Sequence, residues 1–119
     1  MGWLRRLFQR LGRTDEERLS DEVLEWARSV PGTRRIAECP SREPIRITGV
    51  VKRLTLRPSD GSVSLEALVT DGTGEMAALW MGRHRIEGLQ LGTRLILEGV
   101  VAQSRHGRPR MVNPEFEFA

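Results

Sequence analysis

Few side chains in this sequence could carry covalent chemistry. It contains one cysteine, Cys39, and two histidines, His84 and His106. A lone cysteine forms no internal disulfide, and one cysteine with two histidines falls short of the four-ligand set of a structural zinc site. The histidines have arginine neighbours, in Arg83-His84-Arg85 and Arg105-His106, and no serine, cysteine or carboxylate stands beside either in a catalytic spacing. Asp71, in Asp71-Gly72-Thr73-Gly74, reads as a turn residue that bonds local amides. No Gly-rich phosphate loop ending in Lys-Ser/Thr occurs. The expectation is a protein that is not an enzyme and holds no metal and no cofactor. What remains is cationic: Lys52, Arg53, Arg57, Arg83, Arg85, Arg105, Arg108 and Arg110. Guanidinium forks grip phosphate and can stack on bases, so these residues are the candidate nucleic-acid contacts.

The elements that must position them are β-type. Ile45–Leu56, Val63–Thr70, Glu75–Met81, Arg94–Gln103 and Arg108–Phe118 read as strands separated by glycine turns. Five strands hide their edges by curling into a small barrel, and the fold expected is mainly β: a five-stranded OB-fold barrel with an N-terminal α-helical extension. Residues 1–43 are expected to form the helical extension and connector, and 44–119 the barrel. Gly49 and Gly99 each interrupt an alternating apolar run, as a sharply coiled strand requires. In an OB-fold the loops between strands one and two and between strands four and five flank the ligand groove. Arg57 is expected in the first loop, over 57–62, and Arg105, Arg108 and Arg110 about the second. Residues 82–93 contain three glycines and leave little room for the helix that often closes the barrel floor.

The Asp71–Gly74 turn fixes a register. Loops of two or four residues both pair Val69 with Met76, Ala67 with Ala78 and Leu65 with Trp80, which assigns these six to the interior. Trp80 is then core rather than a stacking platform. The opposite face carries Glu66, Leu68, Thr70, Glu75, Ala77, Leu79 and Met81, with no aromatic residue among them.

Net charge is +3, from 19 Lys+Arg against 16 Asp+Glu. The pI of 10.3 follows from every base except Lys52 being arginine. From Pro44 onward there are ten basic and eight acidic residues, so affinity for a polyanion must come from clustering. Residues 2–12 form a basic amphipathic stretch, with Trp3, Leu4, Leu7, Phe8 and Leu11 at helical spacing. It suits a phosphate-contacting arm, a membrane-surface helix, a protein-docking helix, or a segment folded back on its own barrel. Thr14 and Glu17 have capping-box spacing, and a helix is expected from Asp15 to Ser29 with Leu19, Val23 and Trp26 packed on the barrel as a substitute cap. No apolar run reaches the ~20 residues of a membrane span, no secretory signal opens the chain, and the lone cysteine suits a reducing cytoplasm.

The glycine-bearing first strand, the Asp71-Gly72-Thr73-Gly74 turn, the third strand ending in Leu79-Trp80, Gly88-Leu89-Gln90-Leu91-Gly92 and Met111-Val112-Asn113-Pro114-Glu115 together resemble OB-fold domains of the tRNA-anticodon-binding type. The chain looks especially similar to the wedge domain of RecG-type branched-DNA helicases, and as a whole to small actinobacterial OB-fold proteins. The resemblance implies an OB-fold over residues 44–118 and binding of single-stranded or branched DNA, or RNA. Wedge domains place exposed aromatics after the third strand, whereas this chain has Met81-Gly82-Arg83-His84-Arg85. The rival expectation is a protein-interaction adaptor using exposed Leu68, Leu79 and Met81, with residues 1–30 as a further protein contact or a membrane-peripheral helix.

Overall fold

The first strand is long enough to serve two partners. β1 (Pro44–Ser59) pairs with β4 (Arg94–Gln103) from Pro44 to Val50, and with β2 (Ser62–Thr70) from Val50 to Ser59. The computed structural model describes residues 18–59, 61–103 and 107–119. Antiparallel pairing continues from β2 to β3 (Glu75–Met81), and β5 (Pro109–Val112) closes the ring by lying parallel to β3 and antiparallel to β4. The order β1-β2-β3-β5-β4-β1 is that of an OB-fold.

Where β1 changes partner, the register slips between Val51 and Arg53, so Lys52 is the extra residue of a bulge. Gly49 lies beside this point. A Cβ there would sit 2.8 Å from both Cβ and Cγ2 of Val69, so only glycine lets β1 pass that close to β2. The expected last strand, Arg108–Phe118, is two strands. Asn113 takes φ 50°, a value asparagine tolerates better than most residues. β6 (Glu115–Phe118) then continues along β4. Asn113 locks the break: its N–H donates to the Leu79 carbonyl at 2.6 Å and its Oδ1 accepts the Met81 N–H at 2.9 Å.

The β2–β3 register is the one expected from the turn, with Leu65 opposite Trp80, Ala67 opposite Ala78 and Val69 opposite Met76. All six are buried, with Ile47, Leu95, Leu97, Val101 and Met111. Trp80 is 4% exposed, donates from Nε1 to the Pro114 carbonyl at 3.1 Å, and meets Phe116 edge-on at 5.4 Å.

Closure departs from expectation in that the 82–93 loop takes part in it. No helix forms over 82–93, as the glycines imply, but this loop does the plugging itself. Ile86 joins the core and Leu89 packs against it, while Gly92 N–H and the Thr93 carbonyl bond Val51 at 2.9 Å each. The N-terminal helix is described over residues 18–29 and is called α1; the rest of the expected Asp15–Ser29 helix, its Thr14/Glu17 cap and the basic stretch 2–12 lie outside the described residues. α1 docks against the β2–β3 turn and the start of β4. Trp26 lies 5.0 Å from the guanidinium of Arg94, which points outward because it precedes the inward Leu95. Leu24 sits on the β2–β3 turn, so close that a Cβ on Gly72 would lie 2.9 Å from its own Cβ. Leu19, expected on the docking face, is 58% exposed. Val23, Leu24, Trp26 and Ala27 are all half-buried, so Leu24 and Ala27 join the expected Val23 and Trp26 on the docked face.

The connector is also more ordered than its prolines suggest. A short 3-10 helix, Ile36–Glu38, buries Ile36 in the core, and the Arg34 N–H bonds the Arg46 carbonyl at 2.8 Å. Asp71 ties both ends together. Its Oδ1 accepts Thr73 N–H, Thr73 Oγ1 and Gly74 N–H, and its Oδ2 accepts the Ile36 N–H at 2.8 Å. The aspartate is thus a buried clamp between turn and connector as well as a turn residue.

Candidate functional site

Strand pleating alternates side chains between interior and exterior, so the buried residues determine what faces out. On the wall formed by β1, β2, β3 and β5, Arg53, Leu68, Ala77 and Arg110 are successive cross-strand partners. Three strand spacings separate the two arginine backbones, roughly 14 Å. Thr55, Glu66, Leu79 and Val112 form the next row, and Arg57, Ser64 and Met81 the one beyond. The opposite flank carries Glu75, whose cross-strand partner is Thr70.

Charge on this wall is partly engaged. Lys52 Nζ donates to Glu75 Oε2 at 2.9 Å, and Arg108 approaches the other carboxylate oxygen at 3.9 Å. That hydrogen bond from Lys52, with Lys52, Arg108 and Arg53 as nearby positive charges, holds the Glu75 carboxyl below the usual glutamate range. Arg57 grips Glu66 with two nitrogens, Nε at 2.5 Å and a terminal nitrogen at 3.3 Å. Arg53 and Arg110 make no ion pair among the described residues. The wall therefore presents two guanidinium groups without an ion pair among the described residues, a loosely held third in Arg108, and an ammonium screened by one carboxylate.

Five of the eight candidates, Lys52, Arg53, Arg57, Arg108 and Arg110, share this wall. Arg57 belongs to β1 rather than to the first loop, because the β1–β2 hairpin extends to Ser59 and Ser62. Arg83 and Arg85 lie on the β3–β4 loop at the end of the ring. There His84 and Arg85 border a groove of about 200 Å³ with Leu54, Leu56, Leu65 and Leu89. Arg105 and His106 lie outside the described residues. The opposite wall is acidic: Glu98, Glu115 and Glu117 stand on β4 and β6, with Arg46 paired to Glu117 at 2.7 Å and Glu98 at 3.7 Å. The fold thus separates charge that is nearly balanced in the sequence.

The aliphatic outer face is smaller than expected. Leu68 is 3% exposed and Leu79 half-buried, while Met81 is 54% and Val112 43% exposed. Leu68 lies between its cross-strand partners Arg53 and Ala77. Sequence reasoning missed the role of Glu75. Its distance from Lys52 depends on the bulge, which no residue type announces.

Among the described residues no group of three or more His, Cys, Asp or Glu is placed to hold a metal ion. Burial, with the Asp71 carboxylate nearby, pushes the Cys39 thiol up to about 11, so it is no ready nucleophile at neutral pH. Among the described residues no helix is long and apolar enough to cross a membrane.

No protein-family model matches the chain, and no curated protein matches it in sequence. Solved structures do match in shape. One is the solution NMR structure of the replication factor A related protein from Methanobacterium thermoautotrophicum, 14% identical, with the match covering 73% of this chain and 90% of that one at a TM-score of 0.61. At that identity the likeness is one of fold, and the chain is an OB-fold protein.

Proposed function

We propose that this chain is a non-catalytic OB-fold module that binds single-stranded or branched nucleic acid by electrostatics, in the cytoplasm and without base-specific readout. The observation that carries the reading is the gathering of Arg53, Arg110, Arg108 and Lys52 on one wall, in excess of its Glu66 and Glu75, while Glu98, Glu115 and Glu117 stand on the other. The likeness in fold to a replication factor A related protein supports it. The described residues of the wall include no aromatic side chain, so stacking contributes little and affinity must fall steeply with salt. A wedge-like role at a DNA branch rests on Arg83 and Arg85 standing where wedge domains carry aromatics. Residues 1–43 and 44–119 are proposed to act together, since α1 packs on the ring.

Fluorescence anisotropy with labelled single-stranded, duplex and branched DNA and with RNA, at two salt concentrations, tests the proposal. Wild type should bind single-stranded or branched forms most tightly. Replacing Arg53 and Arg110 by Gln should lower the log–log salt slope by about 1.4, at ~0.7 per single-strand phosphate contact. No binding to any probe at low salt ends the proposal. The adaptor reading retains Leu79, Met81 and Val112 as an apolar strip. A nuclease-resistant complex lost in Leu79→Glu would select it instead.

A further inference from the structure

A second basic cluster lies outside this wall. α1, the connector after it and the β2–β3 turn enclose a cleft of about 230 Å³ whose lining includes Arg28, Arg34, Arg35, Thr33, Thr73 and Asp71. The usual structural reasons for arginines at such a place are already met by other groups. Arginine beside a helix C-terminus often caps free carbonyls, but Ser29 Oγ takes the Trp26 carbonyl, the Val30 N–H takes that of Ala27 and Thr33 Oγ1 takes that of Val30. A buried carboxylate would pair with a guanidinium, but both oxygens of Asp71 are occupied by the donors of Ile36, Thr73 and Gly74. Arg35 pairs with Glu38 at 3.3 Å in the open, and Arg28 and Arg34 make no ion pair among the described residues. Three guanidinium groups thus line a cleft whose own carboxylate is committed elsewhere, and Glu38 engages Arg35 alone among them.

The cleft walls are fixed. Leu24 is pressed onto Gly72, and the Asp71 clamp joins the turn to the connector. The cleft also adjoins the wall described above along the chain, because Thr73 in its lining stands two residues before Glu75. We propose that this cleft is a phosphate subsite, with Arg28 and Arg34 as its main donors, that extends the nucleic-acid track beyond Lys52 and around the β2–β3 turn. The extension rests on the function proposed above; the cleft's chemistry, charge-assisted bonds to a phosphate group, does not.

Arginine Nε–H signals of the full chain, titrated with inorganic phosphate and with single-stranded oligonucleotides of ~6 and ~12 nucleotides, test the proposal beside anisotropy on the Arg28→Gln/Arg34→Gln variant. The expected result is that the longer strand shifts Arg28 and Arg34, and that the variant binds it about tenfold more weakly at 0.2 M salt while binding the shorter strand like wild type. Wild-type affinity and salt slope in the variant at both lengths, with no shift from phosphate, overturn the subsite and leave the proposed function standing. Shifts from phosphate without any from either strand support the cleft as a site for a free phosphate group and overturn its place in the track. Failure of the wild type to bind any strand, by contrast, removes the proposed function itself.

Discussion

Glu75→Gln should make the protein a better nucleic-acid binder. In the wild type this carboxylate holds Lys52 at 2.9 Å and draws Arg108 to 3.9 Å, so one full negative charge sits among the cations proposed to meet phosphate. Glutamine keeps the shape and removes the charge, which releases Lys52 for one further phosphate contact. With a single-strand slope of ~0.7 per contact, and neutrality near 1 M salt, that contact is worth about eightfold at 50 mM and about threefold at 200 mM. Both the gain and its decline with salt are measurable by anisotropy. Stability should change little, since an exposed ion pair contributes ~0–1 kcal/mol. The acid limb supplies an internal control. The folded carboxyl titrates below the usual glutamate value of 4.5, so its small stabilising contribution is complete above that value and is lost as pH falls through the lowered one. Over the same fall the wild type becomes neutral at Glu75, and the affinity ratio of variant to wild type should shrink toward one. Unchanged or weaker binding by the variant at low salt would refute the placement of the ligand on this wall.

The remaining expectations concern the scaffold. Gly49→Ala should cost ~1–3 kcal/mol by overpacking against Val69, seen as a fall in melting temperature. Gly99→Ala, whose new Cβ would meet Pro114 at an ordinary 3.4 Å, should be close to neutral, and equal effects would disprove the close-approach argument. Trp80→Phe should lower stability by ~1–3 kcal/mol, because the Pro114 carbonyl loses its donor in a buried place, yet leave nucleic-acid affinity unchanged; a loss of affinity without loss of stability would show that the indole faces the ligand. Asp71→Asn should destabilise by a similar ~1–3 kcal/mol, because an NH2 group replaces one of two oxygens that both accept backbone N–H bonds, and urea denaturation would detect it.

What could be read from the residues alone follows a physical pattern. The β2–β3 register was legible because a short turn and period-two alternation are both local, and one apolar set then had to face in. The ring itself followed from strand count and glycine corners. Features that arise between distant segments were not legible. The Lys52 bulge depends on β1 exchanging β4 for β2. The plugging role of Ile86 depends on a loop folding under the ring. The α1 stripe escapes a purely local reading because Leu19, Val23, Leu24 and Trp26 are all apolar, and the choice among them is made by Gly72 and Arg94, both more than forty residues away. The candidate cations were chosen by charge, and the chain's topology separates those on one wall from Arg83 and Arg85 at its end.

The parallel seam between β3 and β5 is only three residue pairs long, Ala77 with Arg110, Ala78 with Met111 and Leu79 with Val112, and it joins segments more than thirty positions apart. Loop closure has to precede any reward from such a contact, so this seam is expected to form late in folding. Until Pro109 and the residues after it arrive, β3 and part of β4 present bare edges bearing some of the most apolar sequence in the molecule. Such edges are templates for intermolecular pairing. A chain stalled or cut before that point is therefore expected to seed aggregation, and residues 109–119 act as a built-in safeguard against it.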